Sequence, residues 1–180
     1  MARSRLQGYT ARVARFRRLR KIGIDTARLL RTGLKAMTYG ASIMGVADGM
    51  LRSQRQVASA IAAPGAGTGG QNMDIALIFA DGGPKGKADP AFDAHMMPIG
   101  EWALASWENW ATEVAMESIV KAALAMVAKG KNRWASVYGP GAALVMTCIR
   151  IEWQVVSARH LVTHEGEMLD LKLDPRQWFF

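Results

Sequence analysis

Apolar side chains that recur every three to four residues are the feature that most restricts what this chain can fold into. Leu6, Tyr9, Val13 and Phe16 are spaced by three, four and three residues, the period of a helix with a narrow apolar stripe over residues 4–21. The same period returns in Ala27, Leu30, Leu34, Met37, Ala41 and Met44, behind a break and N-cap at Gly23 to Thr26. A third face, Met50, Leu51, Val57, Ala58 and Ile61, follows a turn at Gly45, Asp48 and Gly49. Later runs read the same way. Met73 to Ala80 is a short apolar helix, and Pro98 suits a first helical turn ahead of Trp102, Trp107 and Trp110. Met116, Ile119, Val120, Ala123, Leu124 and Val127 continue that pattern to a stop at Gly130, and Gly139-Pro140 starts a last helix reaching about Ile151. Beyond it the period changes to β-type in Glu152 to Ala158, Leu161 to Thr163 and Met168 to Leu173, with His164 to Glu167 as a turn. The expected fold is mainly α, a helical bundle with a small C-terminal β-hairpin (α+β).

Breakers divide the chain. Ala63-Pro64-Gly65-Ala66-Gly67-Thr68-Gly69-Gly70 and Asp81-Gly82-Gly83-Pro84-Lys85-Gly86-Lys87 are loops by their proline and glycine content. The expected organisation is a basic helical subdomain over 1–62, a Gly/Pro-rich connector with one short helix over 63–97, and a helical body ending in a hairpin over 98–180. No internal repeat of 20 to 50 residues is visible.

Charge is distributed as unevenly as the breakers. The chain of 180 residues carries +8 overall. Residues 1–35 hold eleven Lys/Arg against the single acid Asp25, a net of +10, while the remaining twelve basic groups face fourteen acids, a net of −2. A basic arm on a near-neutral body points a polyanion to the first 35 residues. Arg12, Arg15, Arg18, Arg28, Arg31, Lys35, Arg52 and Arg55 are the candidate phosphate contacts. Arg28, Arg31 and Lys35 fall within about 60° of one another at 100° per residue. The acids Glu101, Glu108, Glu113 and Glu117 make the later helices unsuited to that role. The long uncharged runs, Gln56 to Met73 and Trp134 to Ile149, are broken by proline and glycine, so no transmembrane segment is expected. No secretory signal is visible, although an Arg-rich, acid-poor start also suits a mitochondrial transit peptide.

Phe79-Ala80-Asp81-Gly82 approaches the aromatic-x-Asp-Asp turn of polymerases that copy RNA, but Gly82 stands where the second carboxylate belongs. Two-metal phosphoryl transfer needs further carboxylates nearby. Upstream lie only Asp25, Asp48 and Asp74, none in a strand-like run. The Gly65 to Gly70 segment lacks the Lys-Ser/Thr of a phosphate loop and follows a helix instead of a strand. His160 and His164 are four apart beside Glu165, a spacing that suits a metal only on a helix. Lone Cys148 reads as a small core residue and excludes a disulfide framework within the chain. Trp102, Trp107, Trp110, Trp134 and Trp153 read as core. No catalytic residue, metal site or cofactor is therefore expected.

The segment Asp25-Thr26-Ala27-Arg28-Leu29-Leu30-Arg31-Thr32-Gly33, followed by Met37-Thr38-Tyr39-Gly40-Ala41-Ser42, resembles the stretch after the catalytic palm in reverse-transcriptase-like proteins of non-LTR retrotransposons. The blocks Ala63 to Gln71, Ala88-Asp89-Pro90-Ala91-Phe92-Asp93-Ala94-His95 and Pro98-Ile99-Gly100-Glu101-Trp102-Ala103 look like the long variant abundant in dinoflagellate genomes. The resemblance runs from about Arg17 to Pro175. It implies a thumb-like helical region that holds a template-primer duplex, then a connection segment. The palm and its acidic motifs lie upstream in that family and none of their catalytic positions is matched here, so the resemblance implies a non-catalytic fragment.

The expected function is sequence-tolerant binding of nucleic acid, a DNA or RNA–DNA duplex, in the nucleus or cytoplasm. The alternatives are a mitochondrial helical protein whose basic start is a transit peptide, and a helical interaction module in which residues 98–130 pack on a protein partner.

Overall fold

The computed structural model describes residues 2–63, 70–81, 87–129 and 133–178. It is mainly helical, with a small three-stranded antiparallel sheet near the C-terminus. In chain order the elements are α1 (Ala2–Lys21), α2 (Thr26–Thr38), α3 (Ala41–Met44), α4 (Asp48–Ala62), α5 (Gly70–Asp81), α6 (Pro90–Trp107), α7 (Glu113–Lys129) and a 3-10 turn (Arg133–Ser136). They continue with α8 (Pro140–Arg150), β1 (Gln154–Val155), β2 (His160–Val162), β3 (Met168–Asp170) and α9 (Pro175–Trp178).

Two compact units divide the chain, one of Met1–Tyr39 and Ala47–Asp93, the other of Gly40–Val46 and Ala94–Phe180. This differs from the expected boundaries at 62 and 97. The physical reason is packing: Met73, Leu77 and Ala80 of α5 and Ala88 share one core with Leu30, Leu34, Met37, Ala58, Ile61 and Ala62, so α5 and Ala88 of the expected connector belong to the first unit, while its last residues, 94–97, belong to the second.

In that unit α1 lays Leu6, Tyr9, Val13 and Phe16 against the core. The Tyr9 hydroxyl donates to the Gly33 carbonyl at 2.6 Å. A Cβ on Gly33 would stand 2.8 Å from that hydroxyl, which explains a glycine inside α2 despite its cost of about 1 kcal/mol there. Asp25 is the N-cap of α2, its carboxylate accepting from the Ala27 and Arg28 N–H groups. The helix stops earlier than its periodicity suggests, because Gly40 adopts a left-handed φ of 86° and Tyr39 becomes its C-cap. Gln54 donates to the Met37 carbonyl at 2.9 Å, joining α4 to the last turn of α2.

The second unit centres on α8, buried from Gly141 through Cys148. Gly139 precedes it and Pro140 opens it, where the missing N–H of proline costs nothing. Ile99, Trp102, Ala103, Met116, Val120, Leu144, Cys148, Ala158, Leu161 and Leu171 form one cluster, and Val127, Val137, Ala142, Val145 and Met146 belong to another. The expected hairpin is a three-stranded meander: β1 pairs with β2 (Val155 opposite Leu161) and β2 with β3 (Leu161 opposite Leu169). Buried Trp102 donates its ring N–H to the Ala158 carbonyl at 2.8 Å, and Glu117 accepts from the Ala158 N–H at 2.8 Å. The Arg150 guanidinium lies 4.1 Å over the Trp134 ring and donates to the Val46 carbonyl.

Two readings need correction. The helix expected to open at Pro98 begins at Pro90, and Pro98 lies inside it. Asp89 and Pro90 are the start signal, with the Asp89 carboxylate accepting from the Ala91 N–H at 2.8 Å. The tryptophans are not all core: Trp107 and Trp110 are exposed.

Candidate nucleic-acid interface

The apolar stripe of α1 decides where its cations go. At 100° per residue Arg15 and Arg18 lie on the side away from Leu6, Tyr9, Val13 and Phe16, while Arg12 flanks the stripe about 40° from Phe16, the three stepping about 4.5 Å apart along the axis. All three are exposed, as are Arg17 and Lys21. On α2 the buried positions are Thr26, Leu30, Leu34, Met37 and Thr38, leaving Arg28, Arg31 and Lys35 exposed on the other side. Arg52 is exposed on α4. The acid nearest in sequence, Asp25, is occupied with capping α2. Among the described residues Arg12, Arg15, Arg18, Arg28, Lys35 and Arg52 take part in none of the ion pairs.

Arg55 behaves differently and leaves the outward-facing set. Its Nε lies 2.9 Å from both Asp89 carboxylate oxygens, its Nη2 lies 2.7 Å from one of them, and Nη2 also meets Asp74 at 2.6 Å. The guanidinium is held charged above its ordinary range, chiefly by the Asp89 hydrogen bonds and against the effect of burial. This network ties α4 to α5 and to the cap of α6. Arg31, though exposed, donates through Nη1 to the Ala80 carbonyl at 2.6 Å, and Arg20 donates to the Ala62 carbonyl at 2.7 Å. Both carbonyls belong to the last turns of helices, α5 and α4, where orphan acceptors and the negative dipole end favour a cation. The sequence does not announce these contacts, since nothing local says which helix end a distant arginine reaches.

Asp81 ends α5, while Gly82 and residues 64–69 lie outside the described residues. His160 sits on β2 with Nδ1 3.0 Å from the Ser157 hydroxyl, and His164 is exposed beside Glu165. Among the described residues no group of three metal-ligating side chains forms and no helix is long and apolar enough to cross a membrane. Cys148 is fully buried, and burial pushes its thiol up to about 12.

Set against protein-family models, curated proteins and solved structures, the chain matches none of them.

Proposed function

We propose that the first unit binds the phosphate backbone of nucleic acid without sequence preference, through Arg12, Arg15, Arg18, Arg28, Arg31, Lys35 and Arg52. The observation that carries this reading is the exposed, unneutralised basic face of α1 and α2, in a segment of net +10. Each phosphate neutralised by such a cation releases condensed counterions, so affinity arises without any base being read. The resemblance to retrotransposon reverse-transcriptase-like proteins supports a duplex as the ligand and a non-catalytic role.

The test is fluorescence polarisation with a labelled duplex of arbitrary sequence over a series of salt concentrations. Binding should weaken steeply with salt, and replacing Arg28, Arg31 and Lys35 together by Ala should lower both affinity and salt dependence. Affinity that ignored salt, or survived that triple replacement unchanged, would reject the proposal.

A further inference from the structure

The exposed face of α2 does not end in a cation. Counting 100° per residue, Tyr39 falls within about 40° of both Arg28 and Lys35, one turn or about 6 Å beyond the lysine. Its φ of −54° still follows the helix, so its side chain leaves on the helical phase, and its ψ of 128° then carries the chain away into the left-handed Gly40. The α2 positions that enter the core, Leu30, Leu34 and Met37, lie on the opposite side. Tyr39 is consequently 70% exposed.

Scattered exposed aromatics need no special account, so the company each keeps is what matters. Phe79 is exposed beside Ile75 and Ile78 on α5. Trp110 is exposed with its ring N–H on the Glu108 carboxylate at 2.6 Å, in a field that repels phosphates. Tyr39 instead follows Arg28, Arg31 and Lys35 on one helix face. Arg28 to Tyr39 spans about 16 Å at 1.5 Å per residue, room for a few nucleotides of one strand. A basic track with an aromatic ring beside it is the arrangement that holds unpaired nucleotides, since every base has a π-face.

Resting on the phosphate-binding reading above, we infer that this face also takes single-stranded nucleic acid and holds it more tightly than a duplex, with an unpaired base stacked on Tyr39 while Arg28, Arg31 and Lys35 track the adjoining phosphates. A blunt duplex keeps its bases stacked on one another and gains only the phosphate contacts. The ring therefore adds affinity for one form and not for the other.

The experiment compares a short labelled oligothymidylate with a blunt duplex of the same length, using the full chain and its Tyr39→Ala and Tyr39→Phe variants, with thermal melts to establish that each is folded. Tyr39→Ala should weaken the oligothymidylate roughly 5- to 100-fold, the range alanine substitution gives at stacking positions. Duplex binding should be unchanged, and Tyr39→Phe, which keeps the ring, should match the parent on both ligands. Equal binding of oligothymidylate by the parent and Tyr39→Ala, or equal loss on both ligands, overturns the inference while leaving salt-dependent binding intact. A parent chain that binds neither ligand in a salt-dependent way overturns the phosphate-binding reading and this inference with it.

Discussion

Arg55 and Arg15 are the same residue type on neighbouring helices, and their surroundings give them opposite tasks. Arg55 is one-quarter exposed and shared between Asp89 and Asp74. Replacing it by Ala strands the Asp89 carboxylate, itself only one-fifth exposed. The expected loss is about 1–3 kcal/mol of stability, read as a lower urea midpoint, with little change in the salt dependence of nucleic-acid binding. Cys148 supplies a second prediction at this scale. Its folded thiol is held protonated up to about 12, whereas an unfolded thiol ionises near pH 8.5, or about 8.5 on the reference scale. Between those values the native state binds the extra proton, so this thiol's contribution to stability is complete below the unfolded value and falls as pH rises. The stability advantage of the parent over Cys148→Ala should shrink by about 2 kcal/mol between about pH 8 and pH 10, measured by urea denaturation at each pH. A difference that stayed constant would show that burial does not hold the proton.

At the scale of elements, periodicity carried most of the reading and tertiary contacts set its limits. The stripe of α1 and the faces of α2 and α8 were legible because three-to-four spacing dictates which side is covered. The start of α6 was also written locally, in Asp89-Pro90, yet Pro98 drew the boundary because tryptophans followed it. Gly40 ends α2, yet Ala41 and Met44 keep the helical spacing beyond it and hide that stop. No local signal could have shown that α5 enters the core of the first unit, because Leu77 meets Leu30 and Ile61 only through the folded chain. The same holds for the helix ends that Arg20 and Arg31 satisfy. This separates two classes of cation on one helix. Arg20→Gln should remove the cation from the α4 C-terminus and cost about 0.5–1 kcal/mol, with little effect on salt-dependent binding. Arg15→Gln should leave the melting temperature nearly unchanged and weaken binding at low salt. Thermal melts and polarisation titrations on the two variants check the contrast, and a reversed pattern would mean that α1 meets its ligand on another side.

For the whole molecule the question is whether α1 and α2 act on a polyanion as one surface. Charge alone does not decide it, since a net of +10 over 35 residues would attract phosphates however the helices were turned. The salt slope does decide it, because on B-DNA log K falls with log salt by about 0.9 for each phosphate neutralised. If Arg12, Arg15, Arg18, Arg28, Arg31, Lys35 and Arg52 all engage, the slope should approach −6, to within about one. Replacing Arg12, Arg15 and Arg18 together by Gln should then reduce it to about −4, and replacing Arg28, Arg31 and Lys35 should do the same. The two triple variants test different geometry at equal loss of charge. Equal slopes mean that one ligand touches both helices. If one triple lowers the slope and the other leaves it at the parent value, only one helix carries the interface, and the second serves the fold through the stripe that packs it on the core.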